Sequence, residues 1–328
     1  MGQAAAQTSP EQTPANRTIH STSTLVVVPA LVQTATGELV HNLQPRDFVL
    51  TDDGVEQAVS IDRAERQPVA LVVLLQTGGA APRQFQNYAG LGTMIDALTG
   101  SSPRQVAMVT FDSRPEEASD FLTNVDELKG ELAHPAPGDG GAAILDAVNY
   151  GIGLLEAQPP GMRRVLLLLS QPQDDGSKAH ADEVVRRLGE TNTTIFSVTF
   201  SPQKQWLKDE FTHARHENPP YEFSPGIVLL HTFNLSRPME EALQAMRKDT
   251  AAEVATLSGG ESVRFGDRES LERELSQLEN QLPNRYMLTF QPSSAAAGFH
   301  AIRLEVIHQR EPVRVSARTS YWSGGDAP

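Results

Sequence analysis

Hydrophobic positions change their rhythm along this chain. From Thr22 to Ile61 they come in short bursts: TSTLVVVPALVQT at Thr22–Thr34, then a strand around Phe48–Thr51, the turn Asp52-Asp53-Gly54, and a second strand at Val55–Ile61. An Asp-Gly step between alternating apolar residues is a hairpin signal. Pro29 has no amide hydrogen to give a ladder, which predicts a sheet edge or a break between two strands at that point.

At Val69 the pattern becomes continuous. Val69–Leu75 is an unbroken apolar run that ends in the polar, glycine-rich Gln76–Ala80. Such a run marks a strand buried on both faces, as at the centre of a parallel sheet. Helical spacing follows at Gln84–Leu98, a strand at Gln105–Phe111, a short helix at Val125–Leu132, and a Pro/Gly-rich loop at His134–Gly141. Next come a helix at Ala142–Glu156, a second buried strand at Arg163–Leu169, a helix at His180–Leu188 and a strand at Thr194–Phe200. This alternation predicts an α/β fold: a doubly wound, mostly parallel, Rossmann-like sheet with helices on both faces. Ligands in such sheets sit beyond the carboxyl ends of the strands, which directs attention to Gln76–Ala80.

Residues 201–235 depart from the alternation and read as an insertion. Helices resume at Arg237–Ser258, stop at Gly259-Gly260, and return at Arg268–Leu282. From Arg285 the period is two again, with Ile302, Leu304 and Val306, then Val313, Val315 and Ala317, on half-buried antiparallel strands. The two terminal β segments are each too small to hold a core. We therefore expect them to pack together as one smaller β-domain with the α/β unit inserted between them; two independent flanking hairpins are the alternative. The expected division is a disordered leader at 1–20, β segments at 21–66 and 284–323, the α/β domain at 67–283, and a tail at 324–328.

Composition narrows the function classes. With 328 residues, 39% hydrophobic and 21% charged, the chain is an ordinary globular one, and no apolar run approaches the roughly 20 residues of a membrane span. A net charge of −14 argues against a nucleic-acid partner. The absence of cysteine removes disulfides, thiolate metal sites and cysteine nucleophiles together. Met1–Thr18 has neither a basic start nor an apolar core and does not read as a signal peptide.

The ordered series VVVPALVQTATGELVHNLQPRDFVLTDDG, VALVVLLQTGG, GDGGAAILDAV, RRVLLLLS, RYMLTFQP and VRVSARTSYW resembles the von Willebrand factor A family over about Leu25 to Trp322. It is most similar to the bacterial von Willebrand A-related proteins typical of acidobacteria. The resemblance implies an exported protein with a doubly wound sheet. It also implies a metal-ion-dependent adhesion site, in which Mg²⁺ takes hard oxygen ligands and a partner carboxylate completes the shell. In that register the Asp and two Ser of the first loop become Gln76, Gly78 and Ala80. The Thr of the second becomes Ala142, and the Asp of the third becomes Gln171. All five ligand positions are changed. Two facing carboxylates without a cation would repel, whereas two glutamines can bond each other. The expectation is a site retired as a unit, with no metal and no cofactor; Asp174 and Asp175 are the one route to a rebuilt set, and a solvated turn is their plainer reading.

Other candidate chemistry is thin. His213 and His216 lie at i, i+3 and could take Zn²⁺ with Glu210 or Glu217, but lack an HExxH arrangement. Ser170 has no nucleophile elbow, Gly138–Gly141 lacks the Lys-Ser/Thr of a P-loop, and Asp146 and Asp112 read as helix and loop residues. Trp206 and Tyr221 in the insertion are of the kind that anchors interfaces, or covers a domain's own core. The sequence thus predicts a non-enzymatic protein-interaction or adhesion module of A type. It would recognise a protein partner through Gln76–Ala80, Gly140–Ala142 and Gln171–Asp175. The alternatives are a structural or assembly component binding through its β-domain and, more remotely, cation-dependent adhesion through a rebuilt site.

Overall fold

The computed structural model describes residues 25–62, 67–100, 102–200, 237–293, 296–309 and 311–324. Its centre is a five-stranded, all-parallel sheet of β5 (Val69–Gln76), β6 (Arg104–Phe111), β7 (Arg163–Ser170), β8 (Thr193–Phe200) and β9 (Ser262–Phe265), in the order β6-β5-β7-β8-β9. Every residue of β5 is buried, as its unbroken apolar run requires. Alternate side chains serve opposite faces. Val69, Leu71, Val73 and Leu75 meet α1 (Leu91–Thr99) and α7 (Arg268–Gln281). Ala70, Val72 and Leu74 meet α3 (Ile144–Glu156), α4 (Ala181–Glu190), α5 (Arg237–Lys248) and α6 (Thr250–Ser258). This is the expected doubly wound α/β sheet.

The two ends of the chain build a β-sandwich. One sheet has the order β12-β1-β10-β4, from β1 (Val26–Thr34), β4 (Val59–Asp62), β10 (Tyr286–Phe290) and β12 (Val313–Ala317). The other is β13-β11-β2-β3, from β2 (Phe48–Asp52), β3 (Val55–Gln57), β11 (Gly298–Val306) and β13 (Ser320–Ser323). Val28, Val32, Leu50, Leu288 and Phe290 fill the space between them. N-terminal strands pair antiparallel with C-terminal ones in both sheets, so neither segment forms a separate hairpin domain.

Several local expectations need correction. Pro29 sits inside a strand flanked on both sides, at neither an edge nor a break. β10 pairs with Val26–Ala30 and β12 with Ala30–Thr34, so the β12 ladder ends beside Pro29: the Arg318 amide donates to the Pro29 carbonyl at 3.3 Å, and the return bond, which a proline cannot give, is absent. The run Val55–Ile61 is two strands in different sheets. The helix expected at Gln84–Leu98 is a 3-10 segment, Ala81–Tyr88, followed after Gly90 by α1. Val125–Leu132 divides into a 3-10 turn and α2 (Lys129–Ala133). Arg237–Ser258 divides at Asp249, whose carboxylate accepts from the Ala252 amide and starts α6. β9, too short to show a period, adds a fifth parallel strand. The insertion with Trp206, Tyr221, His213 and His216 lies outside the described residues.

Candidate functional site

The sheet reverses its direction of winding at β5: β6 lies on one side and β7 on the other, which puts the crevice at the carboxyl ends of β5 and β7. Gln76 ends β5 and Gln171 follows β7. The Gln76 Nε2 donates to Gln171 Oε1 at 3.2 Å and to the Gly78 carbonyl at 3.0 Å, while Gln76 Oε1 accepts from the Gln171 backbone N–H at 2.8 Å. The remaining amide of Gln171 donates to the Gln173 carbonyl at 2.9 Å. Gln76 is completely buried, and these bonds satisfy both of its polar atoms.

Three further loops close over this pair. Gly78 is wedged among Asp112, Asp139 and Gly141 with no room for a side chain. The Gly79 amide donates to the Asp139 carbonyl at 2.9 Å, with Gly79 in the left-handed region (φ 57°). Asp112 braces the second loop, its carboxylate accepting from the amides of Asp139 (3.1 Å) and Arg114 (3.3 Å). Asp139 accepts from the Ser113 hydroxyl, the Gly141 amide and the Ser113 amide; these bonds, the hydroxyl first, hold its carboxyl below the ordinary range. Ala142 exchanges two backbone bonds of 2.9 Å with Asp175.

Asp174 is turned to structural work. Its carboxylate accepts from the Leu145 amide at 3.0 Å, in the first turn of α3, and from Ser177 Oγ at 2.5 Å. Asp146 accepts from the amides of Lys178 and Ala179 and so ties α3 to the loop after β7. Ser170 Oγ is buried and donates to the Gln171 carbonyl at 2.8 Å. Gln76, Gly78 and Ala142 are buried, Ala80 and Gln171 half-buried; the exposed rim consists of Arg114, Asp139, Gln173, Asp175 and Lys178. The first three positions therefore shape the surface from beneath. The bracing role of Asp139 escaped sequence reading, since a lone Asp in a Gly-rich loop has no periodic signal.

The five family positions offer no carboxylate and no hydroxyl, and the space a first-loop side chain would need is filled by backbone. This donor set does not fit Mg²⁺, which takes hard oxygen ligands.

No family model matches the chain, and no curated protein does. Among solved structures, the conserved hypothetical protein BatB from Bacteroides thetaiotaomicron is 15% identical over 65% of this chain and 98% of its own, with a TM-score of 0.40. The PilB minor pilin from Streptococcus sanguinis is 10% identical over 67% of this chain and 62% of its own, with a TM-score of 0.41. The vWF domain of the type V pili tip protein Mfa5 from Porphyromonas gingivalis is 14% identical over 33% and 39%, with a TM-score of 0.29. Among the described residues no helix is long and apolar enough to cross a membrane.

Proposed function

We propose that this chain is a non-enzymatic, exported protein-interaction module of von Willebrand A type, of the acidobacterial kind on its sequence motifs, that binds its partner without a metal ion at the loop face. The reading is carried by the reciprocal Gln76–Gln171 pair, which occupies the switch point where the family seats its cation. A partner would meet a preorganised rim of Arg114, Asp139, Gln173, Asp175 and Lys178, held by bonds among the loops, so little ordering is left to be done on binding. The engagement of Ser170, Asp112 and Asp146 in local hydrogen bonds supports a non-catalytic role.

A second reading, an assembly component binding through the β-domain, is favoured by one observation: Val55 is 57% exposed on β3, an edge strand. Photo-crosslinking side chains placed at 114, 139 and 173, and separately at 55 and 56, distinguish the two in cells that make the protein. Adducts formed from the loop positions support the loop face. Adducts formed from 55 and 56 alone overturn it in favour of the edge. A saturable rise in melting temperature with millimolar Mg²⁺ or Ca²⁺, lost in Asp174→Asn/Asp175→Asn, would overturn the metal-free reading.

A further inference from the structure

A second polar cluster lies inside the β-sandwich. The β2–β3 hairpin turns at Asp53 and Gly54, both at positive φ (48° and 83°), as a two-residue turn of this hand requires. The turn is fastened to β11: the Asp53 amide donates to the Ala301 carbonyl at 2.9 Å, and the Ala301 amide donates to Asp53 Oδ1 at 3.0 Å. His300, next to Ala301, thereby comes to face Asp52 and Asp53. His300 is 3% exposed and Asp52 4%, an unusual depth for an imidazole and a carboxylate.

Each of the three side chains has one polar atom fixed from outside and one turned inward. Tyr321 donates its hydroxyl to Asp52 Oδ2 at 2.8 Å and stacks on the His300 ring at 4.7 Å. Asp53 Oδ1 takes the Ala301 amide. His300 Nε2 lies 3.0 Å from the Ala296 carbonyl, an acceptor only, so Nε2 carries the hydrogen. In the neutral ring Nδ1 then presents a lone pair. It points among carboxylate oxygens, 2.9 Å from Asp53 Oδ2 and 3.4 Å from Asp52 Oδ1, yet makes a hydrogen bond to neither. Asp52 Oδ1 is likewise buried without a partner.

Two of the inward atoms, His300 Nδ1 and Asp52 Oδ1, are buried without a partner, and a cation held beside Asp53 Oδ2 would pair both. The separations of 2.9 and 3.4 Å accommodate a metal ion as well as a proton: metal–ligand bonds of about 2.0–2.2 Å put adjacent donors about 2.8–3.6 Å apart in octahedral or tetrahedral arrays. The three donor atoms all lie within 4.8 Å of one another. Outer bonds that fix the tautomer and aim the carboxylates are the usual support of metal-ligating histidine and aspartate. An imidazole with two carboxylates suits a first-row transition dication such as Zn²⁺ better than Mg²⁺ or Ca²⁺. The Asp53 side chain is 23% exposed, leaving a path for the ion and for a water to complete the shell.

We propose that Asp52, Asp53 and His300 form a structural site for a divalent transition metal, Zn²⁺ in the first instance, that clasps the N-terminal hairpin to the C-terminal strand β11. The site is independent of the loop-face reading. It joins residues on β2 and β11, whose pairing holds together segments from opposite ends of the chain.

The test uses the full chain, stripped with chelator and titrated with Zn²⁺ by calorimetry and by thermal unfolding. The expected result is a saturable Zn²⁺ site and a rise in melting temperature that Mg²⁺ does not reproduce. Asp53→Asn keeps an oxygen for the Ala301 amide and supplies a donor toward Nδ1, so it folds; it should weaken Zn²⁺ binding at least about tenfold. His300→Gln should abolish it. His213→Ala/His216→Ala should bind as the parent does, excluding the other histidine pair. Absence of saturable Zn²⁺ binding by the parent would mean that a proton alone fills the position and would overturn the proposal. Unweakened binding by Asp53→Asn would overturn it equally.

Discussion

Gly78 and Gly141 approach so closely that a Cβ on Gly78 would stand 2.3 Å from the Gly141 carbonyl oxygen, with Asp112 Cβ at 2.6 Å. Backbone, not a movable side-chain end, blocks the space. Gly78→Ser, which supplies the hydroxyl of the family motif, should therefore lower unfolding stability by about 2–3 kcal/mol. Placing the residues of the resembled family at all five positions at once should yield no Mg²⁺-dependent rise in melting temperature, because backbone fills the space beside Gly78. A saturable rise would show that the loops can reopen.

Gln76→Glu is isosteric, yet it replaces the donor that serves Gly78 and Gln171 by a second acceptor in a fully buried position. The loss should be about 3 kcal/mol at pH 8, from a buried group left unpaired and charged. Protonation returns one donor, so stability should recover as pH falls. Urea unfolding at a series of pH values reads both effects; a variant as stable as the parent at pH 8 would show that water reaches the pair.

The α/β core was legible because burial on both faces leaves a mark in sequence: Val69–Leu75 and Val165–Leu169 tolerate no polar residue. The β-sandwich was legible by a different route, since two β segments that cannot fill a core alone must find each other. What escaped reading depends on distance or on compensation. Pro29 reads as an edge residue until the offset pairing of β10 and β12 is known. The short strand β9 owes its place to β8 beside it. Asp52, Asp53 and His300 have no spacing to betray them, because hairpin pairing across the whole chain brings them together. At the loop face the glutamine pair was foreseeable from substitution chemistry, but the burial of Gln76, Gly78 and Ala142 was not, as loops carry no period.

Glu253 gives the fold a pH dependence. Burial, and second the neighbouring Asp249 carboxylate, raise its pKa from the ordinary 4.5 to about 7. The folded state then binds the proton more tightly than the unfolded chain, so stability is highest below pH 4.5 on this account and declines as pH rises to about 7. Within that window each unit costs at most about 1.4 kcal/mol. Glu253→Gln should flatten that part of the stability profile and leave the chain more stable than the parent at pH 8. An unchanged slope between pH 5 and 7 would assign the dependence to other groups.

Arg318 couples the β-sandwich to the α/β unit. It is buried directly after β12, and its guanidinium donates to the carbonyls of Leu188 (3.0 Å), Gly189 (2.6 Å) and Ser320 (2.7 Å). Leu188 and Gly189 lie in the last turn of α4, where carbonyls lack helical partners and the helix dipole favours a cation. Burial lowers the Arg318 pKa to about 10, which still leaves it charged at neutral pH. Gly189 packs against Trp322 with no space for a Cβ, so the two units are in close contact at this point. Arg318→Met should then strand the α4 carbonyls and lower stability by about 3 kcal/mol. Arg318→Lys keeps the charge but loses the planar fork, and should recover less than half of that loss. Denaturant unfolding of both variants decides the matter: a lysine variant as stable as the parent would mean that charge at the helix end, and not the fork reaching two carbonyls, joins the units.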